Sequence, residues 1–116
     1  MVSRSELGDQ ALALPEVVEG SHFGMPAFAV CGRGFASVTK DGRLQLRLGA
    51  ADVDEAVGTL PEAEPVLRRG RPIGVAVPLA TLTAAQLHRW LVASWADQAP
   101  AALVREQRPG TSAVDS

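Results

Sequence analysis

The sequence predicts an α+β protein of two layers, in which a mainly antiparallel sheet carries its helices on one face. Three observations support this prediction. Short alternating segments separated by glycine-centred turns fill much of the region 16–79, as in strands joined by hairpins. Segments with helical apolar periodicity lie before, between and after those strands. The 116 residues, 47% hydrophobic and 21% charged, are enough for one domain with a single core.

The chain begins with a helix predicted in SELGDQALALP, residues 5–15. Ser5 is a suitable N-cap, acidic side chains occupy the first turn, and Pro15 ends the helix. The following segment, VVEGSHFGMPAFAVCG, is interrupted at Gly24 and Pro26, so it predicts two short strands joined by a turn.

The segment GFASVTKDGRLQLRLG contains the clearest hairpin signal. Its Asp41-Gly42 dipeptide favours the positive φ angles of a two-residue turn. Such a turn pairs residue 40 with 43, residue 38 with 45 and residue 36 with 47. On that register Lys40, Arg43 and Arg47 project from one open sheet face, opposite the alternating leucines. Ala36 and Val38 would add an apolar patch to the same open face.

The rest of the chain predicts a second helix, two further strands and a final helix. The second helix, in AADVDEAVGTLP, ends at Pro61, and PVLRRGRPIGVAVPL predicts two strands around a turn at Gly70. The final helix begins near Thr83, where Thr-Ala-Ala-Gln has the form of a capping box. Its core-facing stripe is Leu87, Trp90, Leu91 and Trp95.

Pro100 begins a further helical turn in AALVREQ. Residues 1–107 are therefore predicted as a single domain. Residues 108–116 are predicted to be a disordered tail.

Three stretches of the chain together resemble the MmcQ/YjbR family of small bacterial proteins. They are LALPEVVEGSHFGMPAF, the hairpin GRGFASVTKDGRLQLRL, and IGVAVPLATLTAAQLHRWLVASW. The most specific part is the spacing of Glu19-Gly20, Phe23-Gly24 and Pro26-Ala27-Phe28. The resemblance covers roughly residues 6–105 and implies a helix-flanked antiparallel sheet similar to the secretion-chaperone-like fold. Members of this family are commonly labelled DNA-binding because of a wing-like strand arrangement.

The chain departs from this family at one position. Where a tryptophan often begins the strand after RRGR, this sequence has Pro72 and Ile73. A binding surface that depends on that tryptophan is therefore not expected here.

Basic side chains in the middle of the chain are the candidate nucleic-acid-binding residues. They are Lys40, Arg43, Arg47, Arg68, Arg69 and Arg71. If the two groups adjoin on the open face, they can bind phosphates of DNA or RNA, with weak and salt-dependent affinity. The net charge of −2 argues against a strong nonspecific binder.

A simpler interpretation is that these are solvated strand residues paired with acidic neighbours. The acidic residues available for such pairs are Asp52, Asp54, Glu55, Glu62 and Glu64. Sheet order decides between the two interpretations, because it determines whether the two basic groups meet.

Nothing in the sequence predicts catalysis, a metal site or a cofactor. His22 and His88 lack partners at metal-ligand spacing, and a serine beside His22 in sequence does not make a catalytic triad. Cys31, the only cysteine, is predicted to be a small core residue. Phe23, beside a turn, is the only candidate for an exposed aromatic platform.

We therefore predict a small non-enzymatic cytoplasmic protein, not membrane-bound, that binds nucleic acid weakly through a basic sheet face. The alternative is a protein-interaction module, with a second copy of the chain as one partner, and no nucleic-acid role. A third possibility is small-molecule binding near His22, Phe23 and Arg71. Salt dependence separates the first two, since phosphate contacts weaken as salt rises and apolar association persists.

Overall fold

The computed structural model describes residues 2–22 and 24–107, which form a six-stranded antiparallel sheet with helices. The helices are α1 (Arg4–Leu12), α2 (Ala50–Thr59), α3 (Ala84–Gln98) and α4 (Ala101–Gln107). The strands are β1 (Val17–His22), β2 (Met25–Val30), β3 (Arg33–Val38), β4 (Arg43–Arg47), β5 (Glu64–Arg68) and β6 (Arg71–Pro78). The α+β prediction is confirmed. The tail predicted at 108–116 lies outside the described residues.

The sheet has the strand order β1-β2-β3-β4-β6-β5, and every neighbouring pair is antiparallel. The first four strands follow one another as hairpins. The chain then crosses through α2, forms β5 at the far edge, and returns as β6 between β4 and β5. Since β4 and β6 are neighbours, the two hairpins β3–β4 and β5–β6 meet along this seam.

The register of the β3–β4 hairpin differs by one residue from the predicted one. Ser37 lies opposite Gln45 and Val38 opposite Leu44, one residue away from the predicted pairing. The loop holds three residues, 40–42, because Thr39 caps it: its backbone N–H donates to the Arg43 carbonyl at 2.8 Å, and its hydroxyl accepts from the Arg43 N–H at 3.0 Å. Only Gly42 in this loop has a positive φ, 87°.

A one-residue change in register exchanges the two faces of a strand. Ala36 and Val38 therefore point to the same side as Leu46 and Leu44, and both are buried in the core. The apolar patch predicted for them on the open face was wrong. Ser37 lies on the open face instead, beside Gln45.

The positive-φ two-residue turns occur elsewhere. Cys31-Gly32 joins β2 to β3 with φ angles of 50° and 82°, and Arg69-Gly70 joins β5 to β6 with 54° and 78°. Both have the backbone of a tight hairpin turn. Cys31 is consequently exposed at a turn, and its predicted place in the core was wrong.

One core lies between the sheet and its helices. Leu44, Leu46, Val75 and Val77, in the central strands, are nearly or fully inaccessible to water. The helical residues that face them include the predicted stripe of Leu87, Trp90, Leu91 and Trp95, all buried. The capping box at Thr83 is also present, with both of its reciprocal hydrogen bonds. The periodicity of the final helix therefore predicted its buried face correctly.

Polar contacts fasten α3 to the rest of the core. The buried Ser94 hydroxyl lies 2.7 Å from the carbonyl oxygens of Phe35 and of Arg47, one on each strand of the β3–β4 hairpin. The indole N–H of Trp95 donates to the Pro15 carbonyl at 3.0 Å, between α1 and β1. Arg89 pairs with Glu55 and so joins α3 to α2. The helices thereby stay on one face, and the other face remains open.

Candidate nucleic-acid interface

Arg43 is a structural ion-pair residue at one end of the sheet. Its guanidinium lies 3.7 Å from the Asp41 carboxylate and 3.4 Å from that of Glu64, and its side chain is only 33% exposed. Glu64 is on β5, so this contact crosses over β6 and ties the two hairpins together. The simpler interpretation of paired charges therefore describes Arg43 well.

The loop beside Arg43 has its own local order. The Thr39 hydroxyl donates a hydrogen bond to the Asp41 carboxylate, and this bond, more than the nearby Arg43 charge, lowers the pKa of Asp41 below its ordinary 3.8. Lys40 is exposed in the same loop. Arg43 thus shares its end of the sheet with two carboxylates that offset its charge, and Lys40 lies in the loop beside it.

The remaining candidates lie at the opposite end. Arg47 is paired with Gly74 on β6, and Arg68 is paired with Arg71 across the next turn. Seven positions along β6 separate Arg71 from Pro78, the partner of Arg43, which is about 20 Å of strand. The six predicted residues are therefore divided between two ends, with Lys40 and Arg43 apart from the other four.

Those four, Arg47, Arg68, Arg69 and Arg71, are called the basic end from here on. Alternation along β4 and β5 places Arg47 and Arg68 on the open face. Arg71 shares that face as the partner of Arg68, because the pairing of β5 with β6 shifts by one residue between Val66 and Leu67. Arg69 occupies the turn between the two strands. All four side chains are exposed. Within residues 2–22 and 24–107, no carboxylate oxygen lies within 4.0 Å of a nitrogen of these four guanidinium groups. Their charge is not offset locally by the described residues.

A groove of about 470 Å³ crosses the open face and adjoins the basic end. Small residues from β1, β2 and β3 line much of it: Gly20, Ala27, Ala29 and Gly34. Ser37, Gln45 and Arg47 line its far side. We call this the open-face groove. Arg47 belongs both to the open-face groove and to the basic end.

Sequence reasoning did not identify this groove. Gln45 was recognisable as a residue of the wet face, because it alternates with the leucines of β4. Its neighbour Ser37 was not recognisable, because the predicted register pairs Gln45 with Val38 and the structure pairs it with Ser37. The groove is built from four strands, and only their pairing brings its lining together.

The structure separates the residues of the proposed small-molecule surface. His22 is the last residue of β1, the strand at one edge of the sheet. It lies at the same end of the sheet as the loop 40–42. Arg71 is on β6, at the opposite end of the sheet. Phe23 lies outside the described residues. His22 and Arg71 therefore do not form one site.

Within residues 2–22 and 24–107, no three His, Cys, Asp or Glu side chains come together in a way that holds a metal ion. No helix in that part of the chain combines the length and apolar character needed to cross a membrane.

The fold and its surface define a class of small α+β protein, with one sheet face under helices and the other open. Comparison with protein families gives the particular family. The model described as YjbR matches residues 12–97, well over half of the chain, and this chain belongs to the YjbR family. The resemblance to the MmcQ/YjbR family is confirmed. The comparison with curated proteins returned no match.

Proposed function

We propose that this protein is a non-enzymatic nucleic-acid-binding protein that contacts phosphates through its basic end. The observation that carries the proposal is the grouping of Arg47, Arg68, Arg69 and Arg71 at one end of an open sheet face. None of them is within ion-pair distance of a described carboxylate. The DNA-binding label commonly given to the family agrees with this assignment.

Arginine is well suited to the role. Its guanidinium stays charged at all physiological pH values and offers a planar fork of donors that matches phosphate oxygens. Four such contacts imply a log-log salt slope of about −3.6 on duplex DNA and −2.8 on single strands. With a net charge of −2, the chain has no long-range attraction for nucleic acid, so binding depends on these local contacts and is weak.

The first experiment is an NMR titration of the labelled full chain with short oligonucleotides. At 50 mM salt we expect amide shifts at Arg47 and at 68–71, and much smaller ones at Lys40 and Arg43. At 200 mM salt, binding should fall by about a hundredfold for duplex DNA, as the slope of −3.6 requires. No shift at the basic end at 50 mM salt would contradict the proposal.

A charge-matched pair of variants tests the same assignment. Replacing Arg68, Arg69 and Arg71 with Gln should abolish most of the binding, because three of the four phosphate contacts are lost. The fold should be unaffected, since all three side chains are exposed.

The matched control removes the same charge elsewhere. Replacing exposed Arg4, Lys40 and Arg105 with Gln changes the net charge equally, yet should alter the affinity much less. If both triple variants weaken binding alike, only the overall charge matters, and the basic end is not the site.

A second candidate function, association with another copy of the chain, is favoured by the edge strand β1. Among the described residues this strand pairs only with β2, and Val18 on it is 62% exposed. Its sequence, VVEGSH, contains Glu19 and neither lysine nor arginine. The opposite edge, β5, carries Pro65 and charged residues, which are the usual protection against pairing. An unprotected edge accepts a further strand through its free backbone groups.

The oligomeric state at rising protein concentration tests this second function. If β1 pairs with β1 of a second copy, sedimentation should show a dimer that persists at high salt. Val18→Lys should reduce it, because lysine on an edge strand opposes pairing. Val57→Lys, on the exposed side of α2, is the control and should leave the dimer intact. A monomer at all concentrations would eliminate this function.

A further inference from the structure

Building on the proposed function, we propose that the open-face groove accepts one unstacked base of a single-stranded nucleic acid whose phosphates contact the basic end. The groove and the basic end share Arg47. A chain bound along the arginines therefore passes the mouth of the groove. The proposal assigns single strands, rather than duplexes, as the preferred ligand.

The size and floor of the groove suit a base. Its volume of about 470 Å³ lies within the range of roughly 300–1,000 Å³ found for small-molecule sites. Gly20, Ala27, Ala29 and Gly34 carry at most a methyl group, so they leave a low surface on which a planar ring can lie. Larger side chains at these positions would fill the space.

Two polar side chains lie beside these small residues. Ser37 and Gln45 are directly opposite each other on β3 and β4 and both line the groove. Among the described residues, neither the Ser37 hydroxyl nor the Gln45 amide has a hydrogen-bond partner. A hydroxyl and a carboxamide together offer donors and acceptors, which is what the edge of a base requires.

The position of Arg47 supplies the adjoining phosphate contact. It follows Gln45 by two residues on the same strand and the same face, a separation of about 7 Å. A base hydrogen-bonded to Gln45 thus leaves its own backbone near Arg47. Arg71 and Arg68 continue the cationic surface over β6 and β5 for the next phosphates.

Single strands fit this geometry better than duplexes. In a duplex the bases are stacked and paired, whereas unpaired bases can turn outward and enter a concave site. Phe28 and Phe35 are near the groove but are only 2% and 1% exposed, so they do not form a stacking platform. Recognition by hydrogen bonds, without stacking, implies a preference among bases.

The test compares three fluorescent probes on the full chain by anisotropy at 50 mM salt: a short single strand, its duplex, and the same strand with abasic sites. We expect the single strand to bind best and the abasic strand to bind about tenfold more weakly. Gln45→Ala should remove the difference between the normal and abasic strands without changing the salt slope. Arg71→Gln should reduce the slope by about 0.7 and keep the difference.

The outcomes separate this inference from the function it rests on. Equal affinity for the normal and abasic strands, or tighter binding of the duplex, would overturn the base site and leave phosphate binding intact. No binding of any probe would overturn both. Gln45 is exposed, so thermal melting of Gln45→Ala should match that of the unmodified chain and show that its fold is preserved.

Discussion

The two hairpins that meet at the β4–β6 seam differ in how they treat their charge. At the turn of the β3–β4 hairpin, Arg43 is paired with Asp41 and Glu64, and the Thr39 hydroxyl accepts a hydrogen bond from the Arg43 N–H. The β5–β6 hairpin leaves its arginines exposed, and its edge strand has an outward-facing Leu67 that is 58% exposed. Similar local sequences, each with basic residues around a glycine turn, thus have different roles.

The difference separates the buried, charge-compensated residues of the sheet from the exposed arginines to which we assign binding. The β3–β4 hairpin lies in the middle, under α3, where its leucines are buried and Arg43 is paired with two carboxylates. The β5–β6 hairpin reaches the edge, where unpaired arginines cost little because water solvates them. Substitutions of the buried residues of the first hairpin should therefore affect folding, and those of the exposed arginines at the basic end should affect binding.

The seam itself should be the most sensitive point. A Cβ at Gly74 would lie 2.0 Å from the Leu46 carbonyl oxygen, so Gly74→Ala must push β6 away from β4. We expect a loss of about 3 kcal/mol in the free energy of unfolding, measured by urea denaturation. Gly8→Ala, in α1 where nothing crowds the new methyl group, should instead be stabilising by about 0.5–1 kcal/mol. Equal effects at both glycines would refute close packing at the seam.

Loss of the hydrogen bonds that attach the β3–β4 hairpin to α3 should have the next largest effect on the free energy of unfolding. Ser94→Ala removes a fully buried hydroxyl shared by the Phe35 and Arg47 carbonyls. Because a buried acceptor loses its partner, unfolding should become easier by about 1–2 kcal/mol. Ser37→Ala, on the open face, should change the same free energy by less than about 0.5 kcal/mol. A neutral Ser94→Ala would mean that this hydroxyl does not hold the hairpin.

A substitution in the turn of the β5–β6 hairpin should increase the stability of the fold and weaken binding. Arg69 has a φ of 54°, which is strained for a side chain of its kind, and Asn tolerates it better. Arg69→Asn should therefore stabilise the fold by about 0.5–1 kcal/mol and weaken oligonucleotide binding.

Arg71→Asn removes the same charge from a strand position without a positive φ. It should weaken binding similarly and bring no gain in stability. If both variants are equally stable in urea, backbone strain at Arg69 is not significant.

The smallest expected effect concerns the ionisation of Asp41, in the loop of the β3–β4 hairpin. The lowered pKa of Asp41 means that its ionised form is favoured by folding, so its contribution is present above pH 3.8 and is lost as pH falls through the lower folded value. An NMR titration should find the Asp41 pKa below 3.8, and Thr39→Val should raise it, since the hydroxyl bond is the main cause. An unchanged pKa in Thr39→Val would assign the shift to another group.

Local patterns allowed much of the fold to be predicted. The alternation of leucines in β4, the stripe on α3 and the capping box at Thr83 all depend on neighbours in sequence, and the structure agrees with each. The candidate site was predicted less completely. Its arginines were identified, but Arg43 and Lys40 were grouped with residues at the other end of the sheet, where Arg71 is about 20 Å along β6 from the partner of Arg43.

Local sequence therefore accounts for the buried stripe of α3, the alternation along β4 and the exposed position of the charged residues. The register at Asp41, the insertion of β6 between β4 and β5, and the pairing of Arg43 with Glu64 follow from the assembled fold. The two sets differ in the sequence distance over which their contacts act. Periodicity reflects contacts within a few residues, whereas strand order and ion pairing depend on segments far apart in sequence that meet only when the core forms.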